Sequence, residues 1–351
     1  MRERTPAVSR EERDRRQIWL LAFLLAALVV AALTALGMGA VSVPWRVAAE
    51  GVLGIHPLSK EQRVILFSIR LPRIIAAALV GSGLSVAGLL FQGLFRNPLA
   101  DPYVIGSSGG ALLGASLGVF LLPAFSIAGF GATAVLAFAG AMGSILLVYW
   151  LASVDGQTPV VALLLAGFAV STMLSYASYF LETLDQDFGQ GMHILSSWLH
   201  GTITEPTWPQ LAIVSFMLVA GIAGAAPVAR RLNTLALGEE YAAHLGVSVQ
   251  RTRIAVIVIG SVLTAAAVAL GGLISFIGLI VPHILRMILG PDHVRLLPAV
   301  ALAGALFLLV ADTAARTIIA PSELPVGVLT AFIGGPFFLY LLRKSRREVM
   351  L

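Results

Sequence analysis

The side chains that could do chemistry in this chain are few and scattered. Six histidines, His56, His193, His200, His244, His283 and His293, show none of the short spacings that bring imidazoles onto one metal ion. There is no cysteine, so thiolate metal sites, disulfides and a thiol nucleophile are excluded. No Gly-Lys-Ser/Thr triplet occurs, so the chain lacks the phosphate-cradling loop of a nucleotide hydrolase, and any ATP use requires a separate subunit. Glu182, Asp185 and Asp187 lie close together, but in a polar segment where solvation is sufficient explanation. His283 follows Pro282 close to a helix end, where a structural role outweighs haem ligation. Neither a catalytic centre nor a cofactor held by this chain is expected.

The elements around these residues are apolar. Of 351 residues, 58% are hydrophobic and 12% charged, with a mean hydropathy of +0.93. A soluble domain carries about 25% charged residues, so half that fraction implies a surface facing lipid. The 35 glycines fit closely packed membrane helices. The net charge of +5 resides in short clusters beside apolar runs, a pattern of membrane topology that argues against a nucleic-acid face.

A spanning helix needs about 20 apolar residues, and the charge-free stretches supply ten helices. They are read from Ile18 to Trp45, the helix ending near the glycines of Gly37-Met38-Gly39, then Ile74 to Phe95, two within Pro102 to Val154 joined near Pro123, Val160 to Leu181, and Trp208 to Val228. The run between Arg253 and Arg286 is interrupted by Gly271-Gly272, Ser275 and Gly278, and is read as a seventh helix and a shorter eighth. Leu297 to beyond Asp312 and Val326 to Leu342 complete the set. The expected organisation is a basic N-terminus over 1–16, one transmembrane domain over 17–343 and a C-terminal tail over 344–351. Both termini are rich in arginine and are expected in the cytoplasm, which places the basic Arg230 to Arg253 loop inside. The first span is too long for a signal-peptide core. Arg46, Lys60, Arg63, Arg70 and Arg73 fall outside, against the bias.

Several motifs follow in order: Ile69-Arg70-Leu71-Pro72-Arg73, the small-residue run from Gly81 to Gly88, and Gln92 to Pro102 with Asn97-Pro98-Leu99 at its centre. After them come Gly106 to Ala111, Leu235 to Glu239, Ala243 to Val247, Phe276 to Arg286, Asp312 with Arg316, and Glu323 to Gly327. Across residues 18 to 343 this series resembles the FecCD family of permeases, which includes vitamin B12, haem and ferric-siderophore importers. The resemblance implies the all-α type II ABC importer permease fold of ten transmembrane helices. It also implies a homodimer in the bacterial inner membrane with the pathway between the copies. Two ATPase subunits would bind below, and a periplasmic or lipid-anchored binding protein would deliver a metal-chelate cargo from above.

Roles carried over by the resemblance can be set beside simpler ones. Arg70, Arg73 and Arg316 match arginines that pair with carboxylates of a binding protein, a task that suits the guanidinium fork; alternatively they anchor helix ends, and Asp312 could neutralise Arg316 at i, i+4. Leu235, Leu237, Gly238, Glu239, Ala243 and Gly246 correspond to the ATPase-coupling region, against the alternative of an ordinary loop. Asn97, Pro98 and Leu99 border the inner gate with Thr158, Val160 and Val161, where a plain helix-ending turn competes. Ser171, Ser175 and Tyr179 could line a wetted path or hydrogen-bond neighbouring helices. The alternative from another class is a secondary transporter with its own ion coupling, which would want midplane acids; only Asp312 is near a span. A membrane enzyme lacks catalytic groups.

Overall fold

The computed structural model describes residues 10–39, 41, 43–55, 57–153, 158–184, 190–203, 205–320 and 322–349; Arg2, Arg4, His56, Asp185 and Asp187 lie outside them. The elements in chain order are α1 (Arg10–Gly37), α2 (Trp45–Val52), α3 (Lys60–Val64), a wide π-type turn (Ile65–Arg70) and α4 (Leu71–Phe95). A 3-10 turn (Pro102–Ile105) leads into α5 (Ser107–Leu121), a small antiparallel hairpin of β1 (Ser126–Ile127) and β2 (Phe130–Gly131), and α6 (Ala132–Ala152). The remainder is α7 (Val160–Leu184), α8 (Gln190–Leu199), α9 (Trp208–Leu235), α10 (Glu239–His244), α11 (Val249–Gly271), α12 (Ile277–Leu289), α13 (His293–Thr317) and α14 (Val326–Val349).

Among the described residues, seven helices are long and apolar enough to cross a membrane, and α5, α12 and residues 326–341 of α14 are shorter apolar helices. These are the ten runs expected from the sequence. Helix α4 is their axis, packed by α13, α11, α9 and α12. Its small residues explain why. A methyl group at Gly81 would run into the Gly304 carbonyl of α13, and one at Gly88 into the Gly278 carbonyl of α12. Without a hydrophobic drive between helices in lipid, such close backbone approach is what holds them together. Helices α5, α6 and α7 form a second group, while α1 lies against α13 and turns most of its surface outward.

Boundaries differ from the sequence reading where charge was taken for a helix end. Helix α9 continues past Val228 through Arg230 and Arg231 to Leu235, because charge marks where the apolar environment stops rather than where hydrogen bonding stops. Helix α1 ends at Gly37, among the glycines where its run was expected to close, and Trp45 starts the short α2. Glu182, expected in a loop, lies on α7 and accepts a hydrogen bond from Ser178. The amphipathic α8 was missed because ten residues are too few to register as a span.

Candidate functional site

Between α11 and α12 the helix breaks. Gly272 (φ 65°) and Phe276 (φ 70°) both adopt left-handed backbone, a strained state for phenylalanine. The Phe276 ring lies against Gly334 of α14, where any side chain would collide with it. The free backbone groups find partners, as a non-aqueous setting demands. Tyr103 donates its hydroxyl to the Ile274 carbonyl (3.2 Å), the Leu273 N–H donates to the Trp198 carbonyl (3.4 Å), and Gln92 Nε2 donates to the Gly278 and Leu279 carbonyls (both 3.2 Å).

Two cavities share Leu273 and Ser275 of this break. One extends past His200, Gly327 and Phe332; the other extends past Ser108, Tyr103 and Asp101 to Leu99. Together they form a trough from the start of α14 to the turn after α4. The sequence marked the break only as an interruption, and so missed Leu273, Ser275, Tyr103 and Ser108 as lining groups.

Of the expected gate residues, Leu99 lines the trough. Its N–H donates to the Asn97 side chain (2.9 Å), so Asn97-Pro98-Leu99 is a tight turn behind the left-handed Arg96. Arg96 Nη2 in turn donates to the Leu235 carbonyl (2.7 Å). Thr158 is buried beside α11, where Gln250 Nε2 donates to its hydroxyl (3.1 Å) and Arg253 Nη1 to its carbonyl (3.2 Å). Val160 is half-buried and Val161 exposed. The α7 hydroxyls lie elsewhere. Ser171 meets Ser108 (3.2 Å) and accepts from the Gly109 N–H (3.1 Å), which ties α7 to α5, and Tyr179 is exposed. None of Ser171, Ser175 and Tyr179 lines the trough.

Past Leu99 lies the α9–α11 connection. Gly238 (φ 126°) and Gly246 (φ 79°) bracket the single turn and a half of α10. Ala242 is fully buried beneath it, while Leu237, Tyr241 and Leu245 are each more than two-thirds exposed and recur every four residues. Ala243 and Glu239 are also exposed; Leu235 is buried and belongs to the core. Glu239 accepts from Arg253 Nη2 at 2.5 Å. Alongside, Asn233 of α9 donates to Asp292 (2.7 Å) and accepts from the His293 N–H (2.8 Å), clamping α9 to the start of α13. Burial pushes the Asp292 carboxyl up. The donors from Asn233, Val294 and Arg295, with the Arg295 charge, outweigh this and hold it below the usual carboxylate range.

At the opposite end of α4, the three arginines come together and are buried. Arg70 donates to the carbonyls of Leu36 and Val41. Arg73 forks onto Asp312 (Nη2 at 3.0 Å, Nε at 3.2 Å), and its Nη1 reaches the half-exposed Glu323 (2.8 Å). Arg316 Nε lies 3.1 Å from Asp312, the i, i+4 neutralisation expected from the sequence, and its Nη2 is buried without an acceptor. Asp312, at 0% exposure, is thus shared by two guanidiniums rather than standing free as an ion-coupling acid. Arg70, Arg73 and Arg316 are only 4–6% exposed, so their guanidiniums are engaged within the chain.

Helices around a broken segment, a trough along it, and a distinct polar structure at each end define a helical membrane permease. The chain belongs to the FecCD transport family, whose model matches residues 24–344. It is 45% identical over 287 residues to the cobalamin import system permease protein of Halobacterium salinarum, covering 82% of this chain and 75% of that one. It is 40% identical over 332 residues to the hemin transport system permease protein of Yersinia pestis, covering 94% and 96%. A solved structure titled as an inward-facing conformation of a metal-chelate type ABC transporter superposes with a TM-score of 0.81 at 31% identity, covering 93% of this chain and 99% of that one.

Proposed function

We propose that this chain is the permease subunit of an ATP-driven importer for a metal chelate, and that cargo moves along the Leu273–Ser275 trough. The continuity of the two cavities from His200 to Leu99 supports this reading. The trough has no ring of charge, so it would hold cargo weakly and leave selection to a separate binding protein. That protein would dock at the Arg70–Arg73–Arg316 end, facing outward, where Arg316 Nη2 lacks an acceptor and Glu323 is an exchangeable partner of Arg73.

An ATPase would grip the exposed Leu237–Tyr241–Leu245 stripe, since an apolar patch on a turn at a membrane surface is costly unless covered. Two copies of the chain would face each other across the path, in an inner membrane with both termini cytoplasmic. ATP and its metal would bind the partner ATPase, not this chain. The test is reconstitution in proteoliposomes with the cognate ATPase and binding protein. Chelate uptake should require ATP and persist when ion gradients are collapsed. Uptake that follows an ion gradient without ATP would assign the chain to secondary transport instead.

A further inference from the structure

Helices α6 and α9 both pack on α11 and leave a cleft with α11 as its floor. The deep part is a slot lined only by apolar side chains, among them Ala134 and Phe138 of α6, Ile213 and Met217 of α9, and Ala266 and Ala269 of α11. At Phe130, Ala134 and Ala269 it opens into a wider cavity of about 480 Å³, whose polar groups include His193, Ser197, Thr202 and Gln210. Neither part shares a lining residue with the trough, and neither is lined by an acid, lysine or arginine.

Depth identifies what fits. Trp208 begins α9 half-exposed, its indole N–H donating to the Phe67 carbonyl (3.0 Å), in the position of an interfacial aromatic residue. Met217 follows nine residues later, about 14 Å deeper at about 1.5 Å per residue. A leaflet's hydrocarbon layer is about 15 Å, half of the roughly 30 Å core. The slot therefore runs through one leaflet and the polar cavity lies at its headgroup level. A polar chelate mismatches the slot, and a soluble partner cannot reach it. An acyl chain beneath a polar headgroup matches both parts.

We propose that the α6–α9–α11 cleft is a phospholipid site, with one acyl chain in the slot and the glycerol–phosphate at the hydroxyl, amide and imidazole groups of the mouth. The site stands independently of the cargo and of the ATPase.

The test uses the full chain in phosphatidylcholine proteoliposomes containing a phospholipid with a diazirine on its acyl chain. Adducts on slot residues should exceed those on the outward face of α1, around Phe23, by about tenfold, the ratio given by about 1.4 kcal/mol of preference over bulk lipid. Ala269→Trp, which plugs the junction, should reduce slot adducts to the α1 level and leave the α1 adducts unchanged. Ala134→Leu, on the opposite wall, should do the same independently, so a folding failure of one variant does not remove the test. Equal labelling of slot and α1, or slot labelling indifferent to both substitutions, overturns the proposal.

Discussion

Arg253 bonds to Glu239 at 2.5 Å with one guanidinium nitrogen, while its other terminal nitrogen holds the Thr158 carbonyl at 3.2 Å. One side chain on α11 thus connects the α10 turn to the entry of α7, and Arg96 to the Leu235 carbonyl makes a parallel link from the Leu99 turn. If α10 receives the ATPase, these are the short routes by which its movement reaches the inner end of the trough. Arg253→Gln should therefore separate ATP hydrolysis from uptake. We expect about a tenfold loss of transport per ATP, a coupling of about 1.4 kcal/mol within the usual 1–3 kcal/mol range. Arg253→Lys should rescue poorly, because an ammonium lacks the fork that reaches two acceptors. Parallel loss of hydrolysis and uptake would show that the link only stabilises the fold.

The exposed stripe gives a sharper test of the partner. Tyrosines at the centre of an interface commonly contribute about 2 kcal/mol or more, equivalent to about thirtyfold in affinity. Tyr241→Asp should weaken ATPase association by at least that factor in a pull-down titration. The chain itself should remain monodisperse, since the side chain is 69% exposed and supports nothing beneath it. Unchanged affinity would remove α10 from the interface.

Asp312 is the counterion for both Arg73 and Arg316 inside the helix bundle. Removing one partner of a buried ionic group leaves charge uncompensated, at a cost of about 3–5 kcal/mol. Asp312→Asn should lower the thermal unfolding midpoint in detergent strongly. Adding Arg316→Met should restore part of it by removing one of the two stranded cations. A neutral effect of Asp312→Asn would mean that Glu323 alone suffices for Arg73.

Glu323 occupies Arg73 Nη1 while 48% exposed, so it stands where an incoming carboxylate would bind. On the docking reading it competes with the binding protein. Glu323→Gln should raise binding-protein affinity, and Arg73→Gln should lower it. If Glu323→Gln lowers affinity, Glu323 is part of the docking surface itself.

The spans, the α11–α12 break and the i, i+4 pairing of Asp312 with Arg316 were legible because each is a local pattern of charge, glycine or spacing. The partners of Arg73 were not, since Asp312 and Glu323 are 239 and 250 residues away along the chain. Residue type alone left α7 undecided: a row of hydroxyls is equally suited to water and to a neighbouring helix, and Ser171 accepts from α5. Tyr103 gave no signal because its partner, the Ile274 carbonyl, is 171 residues away along the chain, and Ser108 faces the same distant break.

The absence of native cysteine makes the trough directly testable. Single cysteines at Ser275 and Leu99, both lining it, should react in proteoliposomes with a small water-soluble thiol reagent. Cysteine at Ser171, half-buried where α7 meets α5 and not lining the trough, should react more slowly. Modification at Ser275 should also block uptake, because the bulky adduct stands where the two cavities meet, whereas a cysteine at Tyr179, exposed on α7 away from the trough, should tolerate modification. Rapid labelling of Ser171→Cys together with silence at Ser275 would return the path to the α7 hydroxyl face and displace the break as its wall.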